Sequence, residues 1–210
     1  MSIDANKLFI NGEYVDFTPY IYTNGDWKEV ETCMYINGEW HTSKKWETLT
    51  NFKPPNANIT VSSQYSSTYA KSKLVDGSTV GKTGAWASKA NVSYAWITVD
   101  FTTPVKDLTC YLWNRQKLAG DYPLVNGPTT GTILGSNDNT TWTTLHTISG
   151  RGGNTGSSGA KTTHDCTAAT SSNSYRYIRL YFSNWAGKDY DYDTYCALGE
   201  IAFTCKRLIS

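Results

Sequence analysis

Along residues 96–113 apolar and polar positions alternate with a period of two, and the same alternation returns near the end of the chain. "WITVDF" (Trp96–Phe101) sets Ile97, Val99 and Phe101 on one face. "LTCYLW" (Leu108–Trp113) repeats the alternation, and "YRYIRLYF" (Tyr175–Phe182) brings Ile178, Leu180 and Phe182 together. Successive side chains of an extended strand point to opposite faces, so each segment reads as a strand with one buried face. Turn residues separate the segments, as in "GSNDNTTW" (Gly135–Trp142), and no window has helical periodicity. Short alternating strands with polar connections predict an all-β, antiparallel sandwich or jelly roll.

The first 53 residues follow a different rule. "LFINGEY" (Leu8–Tyr14), "IYTNGDW" (Ile21–Trp27) and "MYINGEW" (Met34–Trp40) are three versions of one phrase, with Asn11, Asn24 and Asn37 spaced by 13 residues. Asn-Gly is the dipeptide that best tolerates the two positive φ angles of a type I′ turn, so each unit predicts one β-hairpin. An isolated hairpin is only marginally stable in water. The repeats therefore need to pack on one another, on the sandwich or on another chain to cover Phe9, Tyr14, Tyr22, Trp27, Tyr35 and Trp40. "KKWETLTNFKPPNAN" (Lys44–Asn58) loses the repeat, and Pro54-Pro55 cannot lie inside a sheet ladder. The expected seam is there, with a hairpin array over 1–53 and a sandwich over 54–210.

Composition sharpens the exclusions. The 210 residues carry a net charge of +1 with 18% charged side chains, so no basic field suggests nucleic acid or an anionic membrane as partner. Tyrosine (15) and tryptophan (8) are abundant, as strands and contact surfaces require. No segment is long and apolar enough to span a membrane, and "MSIDANKLFING" has no secretory signal, which predicts synthesis in a cytosol. The five cysteines (Cys33, Cys110, Cys166, Cys196, Cys205) lack metal-type spacing. They read as free thiols, with Cys196–Cys205 the nearest alternative pair.

Several of these segments together resemble the discoidin, or coagulation-factor C-type, domain over roughly residues 55–205. They are "LVDGSTVGKTGAW", "WITVDFTTPVKDLTCYLWNR", "ILGSNDNTTWTTL" (with Asn139 where glycine is usual), "YRYIRLYF" and "ALGEIAF", in that order. The resemblance implies an eight-stranded jelly-roll sandwich. Related family 32 carbohydrate-binding modules hold galactose-type sugars in loops at one end. The resemblance also implies a structural Ca²⁺, with Asp76 and Glu200 as side-chain ligands and carbonyls near Lys73, Ser78 and Gly199 completing an oxygen shell. Glu200 lies in an otherwise apolar strand, so it needs a cationic partner in any case. Lysine or arginine is the alternative to calcium.

Other chemistry is poorly supported. "DGSTVGKT" (Asp76–Thr83) is one residue short of a phosphate loop and no helix follows, and "GRGGNTGSSGAK" (Gly150–Lys161) lacks the strand and helix of a nucleotide fingerprint. There are three histidines, His41, His146 and His164, and from residue 54 onward Glu200 is the only glutamate. Two facing carboxylates for glycoside hydrolysis would have to come from Asp189, Asp191 and Asp193, whose alternation with tyrosine suits a contact surface better.

Binding determinants are expected in three long connections, from Gly77 to Tyr94, from Asn114 to Thr130 and from Asn184 to Tyr195, and the candidate ligand-binding residues fall in the last two. Arg115 matches the arginine of the sugar-binding relatives' Y-x-x-R segment, with Asp121, Tyr122 and Asn126 following it. Arg115 has a second possible role in a salt bridge with Asp121. Trp185, Tyr190 and Tyr192 offer rings on which the C–H face of a sugar can stack, with Asp189 beside them. Trp86, Trp96 and Trp142 match core positions of the family and are left out of the site. The repeats resemble segments of structural proteins of phages that infect Gram-positive bacteria. The expected protein is thus a non-catalytic, glycan-binding virion component, such as a capsid decoration, head fibre or tail adhesin. Its repeats would join other virion proteins or further copies of the chain. The alternatives are a decoration or cementing subunit without sugar binding and an accessory module of a cell-wall enzyme.

Overall fold

The computed structural model describes the backbone of residues 7–10, 13–16, 20–23, 26–29, 33–36 and 39–42. With side chains it describes residues 46–80, 84–115, 127–149, 160–185 and 194–209. Three separate antiparallel ribbons lie in the first unit. They are β1 (Lys7–Ile10) with β2 (Glu13–Asp16), β3 (Tyr20–Thr23) with β4 (Asp26–Glu29), and β5 (Cys33–Ile36) with β6 (Glu39–Thr42). Ile10 pairs with Glu13, Thr23 with Asp26 and Ile36 with Glu39, so only the Asn-Gly of each repeat separates the paired strands in sequence. The Asn-Gly residues lie outside the described ones.

The second unit spans Glu47–Arg207 and contains eight hydrogen-bonded strands. Six of them follow the order β12 (Thr143–Ile148), β11 (Pro128–Ser136), β14 (Tyr175–Trp185), β10 (Ala95–Trp113), β16 (Glu200–Leu208) and β7 (Trp46–Phe52), while β8 (Ile59–Val61) and β13 (Lys161–Asp165) also pair with β10. A short ribbon of β9 (Trp86–Ala87) and β15 (Ala197–Leu198) sits apart from them. The only α-helix among the described residues is the single turn α1 (Thr167–Thr170).

The layers come from a reversal inside β10. Its first part, Ala95–Asp100, pairs with β14 and β8, and from Val105 to Trp113 it pairs with β16, with β13 alongside from Thr109. Thr102 (φ 65°), between the two parts, and Asp107 (φ 51°), at a register shift inside the second, take left-handed backbone, which is costly for a β-branched residue such as threonine. The Thr102 N–H donates to Asp100 Oδ1 (2.7 Å), and Lys206 pairs with Asp107 (3.1 Å). The two alternating segments read from the sequence are therefore halves of one folded-over strand. Their inward faces make the core as expected, with Ile97, Val99, Leu108, Cys110, Leu112, Ile178, Leu180 and Phe182 all fully buried.

Two expectations change. The seam falls between Trp46 and Glu47, at the start of β7, and not at Pro54-Pro55, because β7 is an edge strand on β16. It is held there by Arg207 Nε donating to Glu47 Oε1 (2.6 Å) and by Asn51 N–H donating to Thr204 Oγ1 (3.3 Å). Of the three tryptophans expected in the core, only Trp86 is fully buried, its Nε1–H donating to the Ser63 carbonyl (3.1 Å). Trp96 and Trp142 are half-buried and clamp the Arg179 guanidinium, 4.5 and 3.9 Å from the ring centres.

Candidate functional site

The strand directions collect several connections at one end of the sandwich. β8 ends there at Val61, β10 starts at Ala95 and returns at Trp113, β14 ends at Trp185, and β11 and β16 begin at Pro128 and Glu200. Hydrogen bonds tie these connections to each other. Ser88 N–H donates to the Cys196 carbonyl (2.9 Å) and Cys196 N–H to Ser88 Oγ (3.0 Å). Asn91 N–H donates to the Thr194 carbonyl (2.7 Å), and its Oδ1 accepts from Thr194 N–H (3.2 Å). The segment before β10 is thereby fixed to the foot of the last long connection.

Exposed rings gather at this end. Tyr65 is 48% exposed and meets Tyr69 edge-on (5.7 Å between ring centres) and Tyr195 (5.6 Å). Tyr94 is 50% exposed and stacks on Tyr181 (5.9 Å, 19° between planes). Val80, in the connection that follows Gly77, is also exposed. A ring held by another ring keeps one apolar face toward water and loses little freedom when something stacks on it.

Of the residues nominated from sequence, Trp185 is the last residue of β14, half-buried against the core. Arg115 also lies at this end, just past β10, but it is 7% exposed and held within the end of the sandwich. Asp121, Tyr122, Asn126, Asp189, Tyr190 and Tyr192 lie outside the described residues. The sequence reading ended two of its expected connections at Tyr94 and Tyr195 without nominating those rings, and it missed Tyr65 and Tyr69. "SSQYSSTYA" (Ser62–Ala70) shows no alternation and reads as plain loop, and only its place beside β9 reveals it.

The expected calcium ligands can be tested against their surroundings. The loop of Asp76 and the strand of Glu200 do meet, through the Gly77 N–H, which donates to Glu200 Oε1. Gly77 has φ +86°, backbone that a side chain disfavours. Both Glu200 oxygens also accept from Lys53 Nζ, each at 2.9 Å. Asp76 is engaged elsewhere, accepting from Ser78 N–H (2.9 Å) and pairing with Lys73 Nζ (3.1 Å). Gly199 N–H donates to the Trp113 carbonyl (2.9 Å). Among the described residues no three His, Cys, Asp or Glu side chains converge on one point. Calcium takes about six to eight oxygens. Here the carboxylates face ammonium and amide donors, and that donor set does not fit the ion.

The thiols among the described side chains are shielded from solvent. Cys110, Cys166, Cys196 and Cys205 are free and buried, so Cys196 and Cys205 are not bonded to each other. Burial and the neighbouring Cys166 push the Cys110 thiol well up, and burial pushes Cys205 to about 12.

The second unit is an antiparallel jelly-roll sandwich with exposed rings at one loop end. The F5/8 type C domain model matches residues 58–196, and the chain belongs to that family. Three solved structures share its fold. The module CBM32-3 from a family 31 glycoside hydrolase of Clostridium perfringens is 18% identical, with 71% of this chain and 92% of that chain covered and a TM-score of 0.52. The C-terminal domain of a chitobiase from Bacteroides fragilis is 17% identical, with 78% and 100% covered and a TM-score of 0.50. The lectin binding domain of lectinolysin, as a His 62 mutant complexed with Lewis b, is 18% identical, with 72% and 96% covered and a TM-score of 0.50. No curated protein matches the chain.

Proposed function

We propose that this protein is a non-catalytic glycan-binding component of a bacteriophage particle, whose sandwich holds carbohydrate at its loop end. The observation that carries the sugar-binding reading is the concentration of supported, exposed rings there, with Tyr65 on Tyr69 and Tyr195 and Tyr94 on Tyr181. Membership of the F5/8 type C family and a fold shared with carbohydrate-binding modules support it. Trp185, Arg115 and the residues of the two long connections (Asp121, Tyr122, Asn126, Asp189, Tyr190, Tyr192) complete the proposed site, and galactose-type glycans on a host surface are the proposed ligands. The virion reading rests on the Asn-Gly repeats, which suit docking onto other virion proteins or further copies of this chain.

A single shallow ring-lined site binds weakly, with Kd on the order of 0.1–1 mM, and many copies on one particle supply the avidity. The test is a glycan array probed with the full chain displayed in multivalent form. Binding to a defined set of galactose-containing glycans is expected, and binding to none would favour a decoration protein that holds no sugar.

A further inference from the structure

Glu200 is the one acidic side chain buried in the sandwich among the described residues, 6% exposed in a strand where Ile201, Ala202 and Phe203 are also buried. A carboxylate taken out of water is costly unless a positive group replaces the lost hydration. That group is covalently part of the chain. Lys53 follows directly on β7 and sets its ammonium against both carboxylate oxygens at 2.9 Å. The Gly77 N–H supplies a further donor to Oε1. A Cβ on Gly77 would come within 4.0 Å of Lys53 Nζ, so ammonium, carboxylate and loop backbone form one packed cluster.

We infer that Lys53 is a built-in cation that does at this loop end what a bound metal ion would otherwise do, so that the sandwich holds its Gly77 loop without calcium. The asymmetry of the pair suits the role. The lysine side chain is 39% exposed and the glutamate 8%, so the flexible cation stays partly hydrated while the strand-borne anion is neutralised in place. The neighbouring carboxylate is not left over for an ion either, since Asp76 is held by Lys73 and by the Ser78 N–H. β7 thereby acquires a second task, because pairing with β16 delivers the cation to the end where ligand-binding loops meet.

The test is a thermal melt of the full chain with excess chelator and with millimolar Ca²⁺, beside a calorimetric titration with CaCl₂. The two melting temperatures should agree within about 1 °C, because an ion that does not bind the native state cannot stabilise it. The titration should show no binding heat. Lys53→Met should lower Tm by roughly 4 °C or more under both conditions, since it leaves the buried Glu200 carboxylate without its cation. It should cost less in a Glu200→Gln background, where no carboxylate is stranded. Chelation that lowers the Tm of the unaltered chain, with recovery on adding Ca²⁺, would overturn the inference even if Lys53→Met failed to fold. A Lys53→Met chain as stable as the parent would also overturn it.

Discussion

Asp100 and Asp138 show how single residues set this fold's response to acid. The Arg176 guanidinium donates to both Asp100 oxygens (2.8 and 2.9 Å) and holds its carboxyl below the usual range. The N–H groups of Thr141 and Thr140 and the Ser136 hydroxyl do the same for Asp138. A carboxyl lowered by folding contributes stability above its unfolded value, near 4, and that contribution is lost as pH falls through the lower folded value. Tm should therefore drop on acidification below about pH 5, and Asp100→Asn should show a smaller drop than the parent while starting lower at neutral pH. An unchanged acid profile would remove Asp100 from this account. The buried thiols give a second check, because only the thiolate is nucleophilic. At pH 8 peptide mass spectrometry should find Cys110, Cys166, Cys196 and Cys205 of the native chain unalkylated, and fully alkylated once it is unfolded. Asn139 explains itself at the same scale, since its φ of +61° is one asparagine tolerates almost as well as the usual glycine.

Among the elements, the strands of the sandwich were legible because alternation survives wherever a strand has one wet face, as Ile178, Leu180 and Phe182 show. β7 was not legible, and the reason is physical. Leu49 and Phe52 both pack against the core, yet they stand three residues apart. Asn51 between them has φ +49°, which breaks the period of two. Tryptophan positions misled for a related reason. The family resemblance puts Trp96 and Trp142 at core positions, but their rings, one from β10 and one from the turn ahead of β12, face Arg179, whose Nε donates to Thr98 Oγ1 (2.8 Å). The structural seam predicts different fates for two truncations. Removing residues 1–45 should leave a cooperatively melting sandwich with nearly the parent Tm. Removing residues 1–53 strips β7, the Glu47–Arg207 pair and Lys53, and should lower Tm by at least roughly 5 °C. Equal stability of the two truncated chains would contradict the placement of β7.

At the level of the whole molecule, the two units carry separate parts of the proposed role, attachment by the repeats and recognition by the sandwich. The proposed site's end was legible in so far as a jelly roll has loops at its ends, and Arg115 and Trp185 lie at the one where the exposed rings gather. Its exposed rings were not, because Tyr65 and Tyr94 come from connections that become neighbours only when β8, β10 and β14 pair. Arg115 is also a poor probe of binding, because removing a buried guanidinium disturbs the fold itself. The most direct test of the central claim is the affinity of the full chain for an array-selected glycan, measured beside Tyr65→Ala, Tyr94→Ala and Tyr177→Ala. Tyr177 is a control ring at the opposite end of β14, 5.0 Å from the Arg176 guanidinium. The account predicts that Tyr65→Ala and Tyr94→Ala each weaken binding at least about tenfold, the loss of one stacking ring, with little change in Tm, while Tyr177→Ala binds as the parent does. Parent-like binding by both loop-end variants would contradict it.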